Sequence, residues 1–212
     1  MKPEGGPRWT PAESAEGVLA LTDILFGRKR LKGAKLEKLF ALSTARITLE
    51  VELGLKPAGV AAVVFKPLSA SEFARAEQEI DELLGVAAQS SGAEVRRRQD
   101  SFGYQWLVVK DRDFEDLVTS VHLVSSELQA RGFGEQLLAA LFAFEDRGKD
   151  DDRTTYLIYG YKRGAFWPFI PTGREQERDN AEELRLKNEL EGELPIEPDL
   201  SRWLGLFDAP LE

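Results

Sequence analysis

Hydrophobic positions change period several times along the chain, and each change marks an element. Over 14–27, Val18, Leu19, Leu21, Thr22, Leu25 and Phe26 share one broad arc, with Glu16, Ala20 and Asp23 opposite. That spacing predicts an amphipathic helix ending at Gly27. A second short helix is predicted over 34–42, with Leu36, Leu39 and Phe40 turned inward. Residues 46–53 then alternate, Arg46, Thr48, Glu50 and Glu52 against Ile47, Leu49, Val51 and Leu53, the pattern of a strand with one wet face. Pro57-Ala58-Gly59 reads as a turn, and 60–66 as a central strand apolar on both faces.

Ser69-Ala70-Ser71-Glu72 is a capping box. Phe73, Ala76, Ile80, Leu83, Leu84 and Ala87 follow it at helical spacing, and 89–92 reads as a linker. The polar stretch 94–100 suits an edge strand or loop; 102–110 reads as a strand with Phe102, Tyr104, Trp106 and Val108 on one side. Asp113 is placed to cap a helix whose buried stripe is Phe114, Leu117, Val118, Val121, Val124 and Leu128, with Gly132 as its stop. Residues 137–144 fit a strand or a buried helix, and a strand is chosen. A charged loop at 147–153 leads to a hairpin, 154–161 and 165–169, around Lys162-Arg163-Gly164. Thr172-Gly173-Arg174-Glu175 reads as a second capping box, starting a charged helix that runs to Gly192. Pro195 and Pro198 bracket an extended tail ending in Trp203-Leu204-Gly205-Leu206-Phe207.

Strand–strand–helix in repeated order implies a single α+β domain: a mainly antiparallel sheet with helices packed on one face. Its parts are a flexible tail over 1–13 and a domain over 14–212, made of a helical segment (14–43), a sheet-and-helix core (44–171) and a charged helix with extended tail (172–212). The topology has an analogy in small secretion-chaperone domains, which is a likeness of architecture alone.

Charge sharpens this picture. Arg28, Lys29, Arg30, Lys32, Lys35 and Lys38 fall together with one acid, Glu37, on a chain whose net charge is −9. A basic site on an acidic body suits an anionic partner, while the overall balance argues against nucleic acid. The chain has no cysteine, which removes disulfides, thiolate nucleophiles and Cys-ligated metals, and fits a reducing cytoplasm. No apolar run approaches the roughly 20 residues of a membrane span, and no signal-peptide order opens the chain.

Candidate chemistry is sparse. His122 is the only histidine and has no marked carboxylate partner. Asp150-Asp151-Asp152 lacks the spaced ligands of a calcium loop. Glu175, Glu177, Asp179, Glu182 and Glu183 read as a solvated helix face. The glycines near 132–134 match no phosphate loop. No cofactor or metal is implied, and no catalytic residue is assigned. The aromatic run Tyr156, Tyr159, Tyr161, Phe166, Trp167 and Phe169, interleaved with Lys162 and Arg163, could be core or a docking surface. The residues singled out for interaction are Arg28, Lys29, Arg30, Lys32, Lys35, Tyr161, Lys162, Arg163, Phe166 and Trp167.

Several blocks carry a family resemblance. They are Asp23-Ile24-Leu25-Phe26-Gly27-Arg28, Leu39-Phe40-Ala41-Leu42-Ser43, Ile47-Thr48-Leu49, Asp100-Ser101-Phe102-Gly103-Tyr104-Gln105-Trp106-Leu107-Val108-Val109, Gly132-Phe133-Gly134-Glu135-Gln136-Leu137-Leu138, Tyr161-Lys162-Arg163-Gly164-Ala165-Phe166-Trp167-Pro168-Phe169, Arg178-Asp179-Asn180-Ala181-Glu182-Glu183-Leu184 and Leu194-Pro195-Ile196-Glu197-Pro198-Asp199-Leu200-Ser201-Arg202-Trp203. From about Val18 onward the chain resembles the phage-shock-protein-A-associated protein B (PspAB) family. The resemblance implies a link to a membrane-stress protein that coats the inner membrane face, and no catalytic residues. The expectation is a non-catalytic cytoplasmic adaptor or regulator. Its partner would be a PspA-like membrane-coat protein or an associated stress protein, with an anionic membrane surface as a further possible contact and no nucleic acid. Two alternatives stand beside it: a peripheral binder of anionic lipid, whose 18–26 arc enters the headgroup layer beside the basic run, and a small enzyme using carboxylates such as Asp100, Asp111 or Asp179.

Overall fold

A computed structural model describes residues 35–66, 82, 92–146, 153–207 and 209–211. The helices expected over 14–27 and, apart from Glu82, over 69–87, the tail over 1–13, the linker at 89–92 apart from Gly92, the charged loop apart from Arg153, and Arg28, Lys29, Arg30 and Lys32 lie outside these residues.

Six strands form one sheet: β1 (Leu55–Phe65), β2 (Glu94–Gln99), β3 (Gln105–Lys110), β4 (Leu137–Asp146), β5 (Thr154–Gly160) and β6 (Ala165–Phe169). Their order is β2-β3-β1-β4-β5-β6, and every pairing is antiparallel. The expected α+β class is therefore what the chain adopts. β1 and β4 lie at the centre, which is why both are apolar on both faces. Residues 137–144 are strand, as chosen.

One face carries the larger core. Val63, Phe65, Leu107, Val109, Phe142 and Phe144 meet the helix α2 (Phe114–Leu128) there, through Leu117, Val118, Val121 and Val124. Asp113 caps α2 by accepting from Glu115 N and Asp116 N at 2.9 and 3.1 Å. Beyond the helix end, Gly132 turns the chain with φ +92°. On the opposite face, Ala62, Val64, Trp106, Val108, Leu141 and Ile158 form a second buried cluster. Leu206, Ala209 and Leu211 of the closing segment pack against that cluster.

Five local expectations are corrected. Residues 46–53 are helical, not a strand. A 3-10 turn (Glu37–Phe40), the short helix α1 (Ala41–Thr44) and a π-turn (Thr48–Glu52) follow one another with right-handed helical backbone at their junctions. Leu39, Leu42, Ala45 and Leu49 make the buried stripe, whereas Ile47 and Val51 are 73% and 77% exposed. The apparent two-residue period was an accident of the polar positions; the three- and four-residue spacing inherited from Leu36 decides the fold. Phe40, expected inside, is half exposed, its ring 4.6 Å from that of His122.

Pro57-Ala58-Gly59 is no turn but a bulge within β1, where the register against β4 shifts. Gly59 has φ +71°, and a Cβ there would stand 2.9 Å from the Asp111 carbonyl oxygen. Phe102 and Tyr104 belong to an exposed turn before β3 rather than to its buried side. That turn is fixed by Asp100, which accepts from Phe102 N, Tyr104 N and Trp106 Nε1, each at 2.9 Å. The charged helix α3 (Asn180–Leu190) starts late, capped by Asp179 through Glu182 N at 3.1 Å. Thr172 instead closes an irregular loop by donating its N–H to the Glu177 carbonyl at 3.1 Å.

Candidate functional site

The turn after β5 brings together pieces distant in sequence. Gly164 N and Arg163 N both donate to the Gly160 carbonyl, at 2.8 and 3.2 Å, so residues 161–164 coil back as a single helical turn. Tyr161 N donates to Leu138 O at 3.2 Å, and its carbonyl accepts from Lys35 N at 3.0 Å. The Tyr159 hydroxyl donates to the Lys35 carbonyl at 2.5 Å. Lys35 is thus clamped through both of its backbone polar groups, and its Nζ reaches the Arg163 carbonyl at 2.9 Å.

Gly164 makes this junction possible. It has φ +68°, and a Cβ there would stand 2.9 Å from Lys35 Cδ and 3.3 Å from Lys38 Cδ. The far end of the basic run therefore packs directly on the hairpin turn. Lys35, Lys38, Lys162 and Arg163 form one basic corner.

Its electrostatics are uneven. Arg163 Nε lies 3.4 Å from Glu197 Oε2, and Glu197 is buried. Glu197 is placed there because 195–197 pair along the open edge of β6: Phe166 N donates to Pro195 O and Glu197 N to Phe166 O, both at 2.8 Å. Among the described residues, Lys38 and Lys162 have no ion-pair partner, and both side chains are exposed. They are the corner's outward cations, with Glu37 as an exposed acid beside them. Nothing in the spacing around Pro195-Ile196-Glu197-Pro198 marked Glu197 as a counter-ion for Arg163.

The rings singled out in this hairpin do not face outward. Tyr161 and Phe166 are fully buried and Trp167 is 8% exposed. Tyr161 crosses the larger core to hydrogen-bond Ser125 Oγ, which itself donates to Val121 O at 2.7 Å. Burial pushes the phenols of Tyr159 and Tyr161 far up, so both remain neutral hydrogen-bonding groups. Trp167 Nε1 donates to Leu204 O at 3.0 Å on the opposite face. The aromatic run is the scaffold that aims the cations, not the surface presented.

The carboxylates weighed as catalytic groups sit on separate elements, each holding backbone. Asp100 fixes its turn, Asp111 Oδ1 accepts from Asp113 N at 2.9 Å, and Asp179 caps α3 while meeting Arg153 Nη1 at 3.0 Å. Among the described residues no three His, Cys, Asp or Glu side chains are grouped to hold a metal, and no helix is long and apolar enough to cross a membrane. His122 lies at the surface of α2 with Ser126 Oγ 3.5 Å from its Nδ1.

A second cation group escaped attention in the sequence. Arg96 and Arg98 on β2 pair with Val108 and Trp106 and share the second sheet face with them. The signal was the run Arg96-Arg97-Arg98 in a predicted edge strand.

A family model described as PspA associated protein B matches residues 19–211, spanning the basic run, the hairpin and the closing segment. No curated protein and no solved structure gives a match.

Proposed function

The chain belongs to the PspA associated protein B family, and from that premise we propose that it is a non-catalytic adaptor or regulator of a PspA-type membrane-stress response, working by protein contact. Its place would be the cytoplasm, at the inner membrane face when its partner is there. The partner would be a PspA-like coat protein or an associated stress protein. The observation that carries this reading is the basic corner: residues 35–38 and 161–164, far apart in sequence, are clamped together by Tyr159 and Tyr161. A rigid platform that aims Lys38 and Lys162 outward suits an acidic surface, and rigidity lowers the entropy lost on docking.

The test is a pull-down of the coat protein by the full chain. Retention is expected to weaken with added salt, and to weaken further in Lys38→Glu/Lys162→Glu and in Arg28→Glu/Lys29→Glu/Arg30→Glu. Retention unchanged by salt and by both charge reversals would remove the basic region from the account.

A further inference from the structure

The second sheet face is closed in an unusual way. Its cluster of Ala62, Val64, Trp106, Val108, Leu141 and Ile158 is buried. Among the described residues no helix lies on it; Trp203, Leu206, Ala209 and Leu211, outside any regular element, do. The two ends of that segment are held very differently. Trp203 is locked: it is 7% exposed, its Nε1 donates to Glu197 O at 2.9 Å, and its carbonyl accepts from Arg178 Nη1 at 2.7 Å. The Leu204 carbonyl takes one further bond from Trp167 Nε1.

Past that point the described residues make no hydrogen bond to the sheet. For the described residues of 205–211 the one backbone bond is local, Leu211 N to Ala209 O at 2.9 Å. Leu206, Ala209 and Leu211 are half-buried, and the Phe207 ring meets Phe169 edge-on at 4.9 Å. Side-chain packing alone holds this stretch, so it can lift from a hinge at Leu204 without breaking a strand ladder.

We propose that 205–211 is a displaceable strap, and that the sheet face beneath it is a second docking surface for an extended apolar segment of a partner protein. The strap displays the chemistry the face accepts: apolar side chains at irregular two- and three-residue spacing, Leu206, Ala209 and Leu211, on a backbone outside any regular element. Exchanging strap for partner replaces one apolar contact by another, so the difference between them is small and selectivity falls to charge. On the same face at the β2 edge Arg96 is ion-paired with Glu94, and Arg98 beside it is the exposed cation that favours a partner segment with an acidic residue beside its apolar ones. The surface is separate from the basic corner, so loss of salt-sensitive binding leaves this proposal standing, and the reverse holds too.

The probe is a fluorescent peptide of residues 203–212 of this chain, titrated by anisotropy into wild type and into Leu206→Ser/Leu211→Ser. Loosening the strap removes its competition, so the variant is expected to bind the peptide at least about tenfold more tightly than wild type. Equal affinity for both, or binding to neither, with wild-type circular dichroism, overturns the proposal. So does a variant that sediments with phosphatidylglycerol vesicles but ignores the peptide, since that marks a lipid surface. Native-state proteolysis of wild type gives a reading that needs no variant. Cleavage within 205–211 is expected at a rate nearly independent of low urea; cleavage that appears only along the urea dependence of global unfolding contradicts a lifting strap.

Discussion

Arg178 gathers three parts of the molecule at one guanidinium: α3, β6 and the closing segment. Its Nε lies 2.9 Å from Glu183 on α3, Nη1 bonds the Trp203 carbonyl, Nη2 bonds the Pro168 carbonyl at 3.4 Å, and the group lies 5.1 Å over the Phe169 ring. Glu183, 2% exposed, also accepts from Ile170 N at 2.8 Å. Burial pushes the Glu183 carboxyl up from its ordinary value, while Arg178 and the Ile170 N–H pull it down. The two-point contact fixes the guanidinium against the carboxylate. Glu183→Gln leaves that guanidinium short of its counter-charge, and a loss of about 3–5 kcal/mol is expected in urea unfolding. A loss below about 1 kcal/mol, the size of a surface pair, would contradict the role. His122 makes a pH prediction. Burial lowers its pKa, with Glu37 opposing, so the unfolded chain takes up the proton first. The stability tied to neutral imidazole is complete above the unfolded value of about 6.5 and is lost as pH falls through the lower folded value. The drop in urea midpoint between neutral and mildly acid pH is expected to be smaller in His122→Gln than in wild type; equal drops would show that the ring titrates as if unfolded.

Elements were legible wherever one period dominated. The stripe from Phe114 to Leu128 repeats at helical spacing behind a side chain that can cap, and α2 follows it residue for residue. Asp113→Ala is expected to cost about 1 kcal/mol, read as a shift in thermal midpoint, because two amide N–H groups lose their acceptor. Residues 46–53 carried two periods at once. In a strand, Leu49 and Val51 would share a face and matter alike; in the helical run Leu49 is buried and Val51 is exposed. Leu49→Ala is therefore expected to cost about 2–5 kcal/mol and Val51→Ala close to nothing. Similar losses at both positions would restore the strand. Pro57 and Gly59 misled in the same manner: a bulge and a turn ask for the same residues, and what separates them is the strand on either side, visible only once β4 is paired.

At the scale of the whole molecule, most of what positions the site is long-range. Lys35 and Arg163 are each plain basic residues in sequence, and no periodicity brings them within hydrogen-bonding reach across 128 positions. The hairpin itself was readable from its alternation and from Gly164. Its rings fit both a core and a contact surface until the faces of the sheet were filled, one by α2 and the other by the strap. The closing segment showed no period because it follows the contour of a sheet face instead of a ladder. The central claim is that Lys38 and Lys162, aimed by buried tyrosines, meet an acidic partner surface. The most direct measurement is the dissociation constant for a PspA-type coat protein across a salt series, comparing wild type with Lys38→Glu/Lys162→Glu. The account predicts that wild-type affinity falls as salt rises and that the double reversal binds more weakly with a flatter salt dependence; identical curves for the two proteins would contradict it.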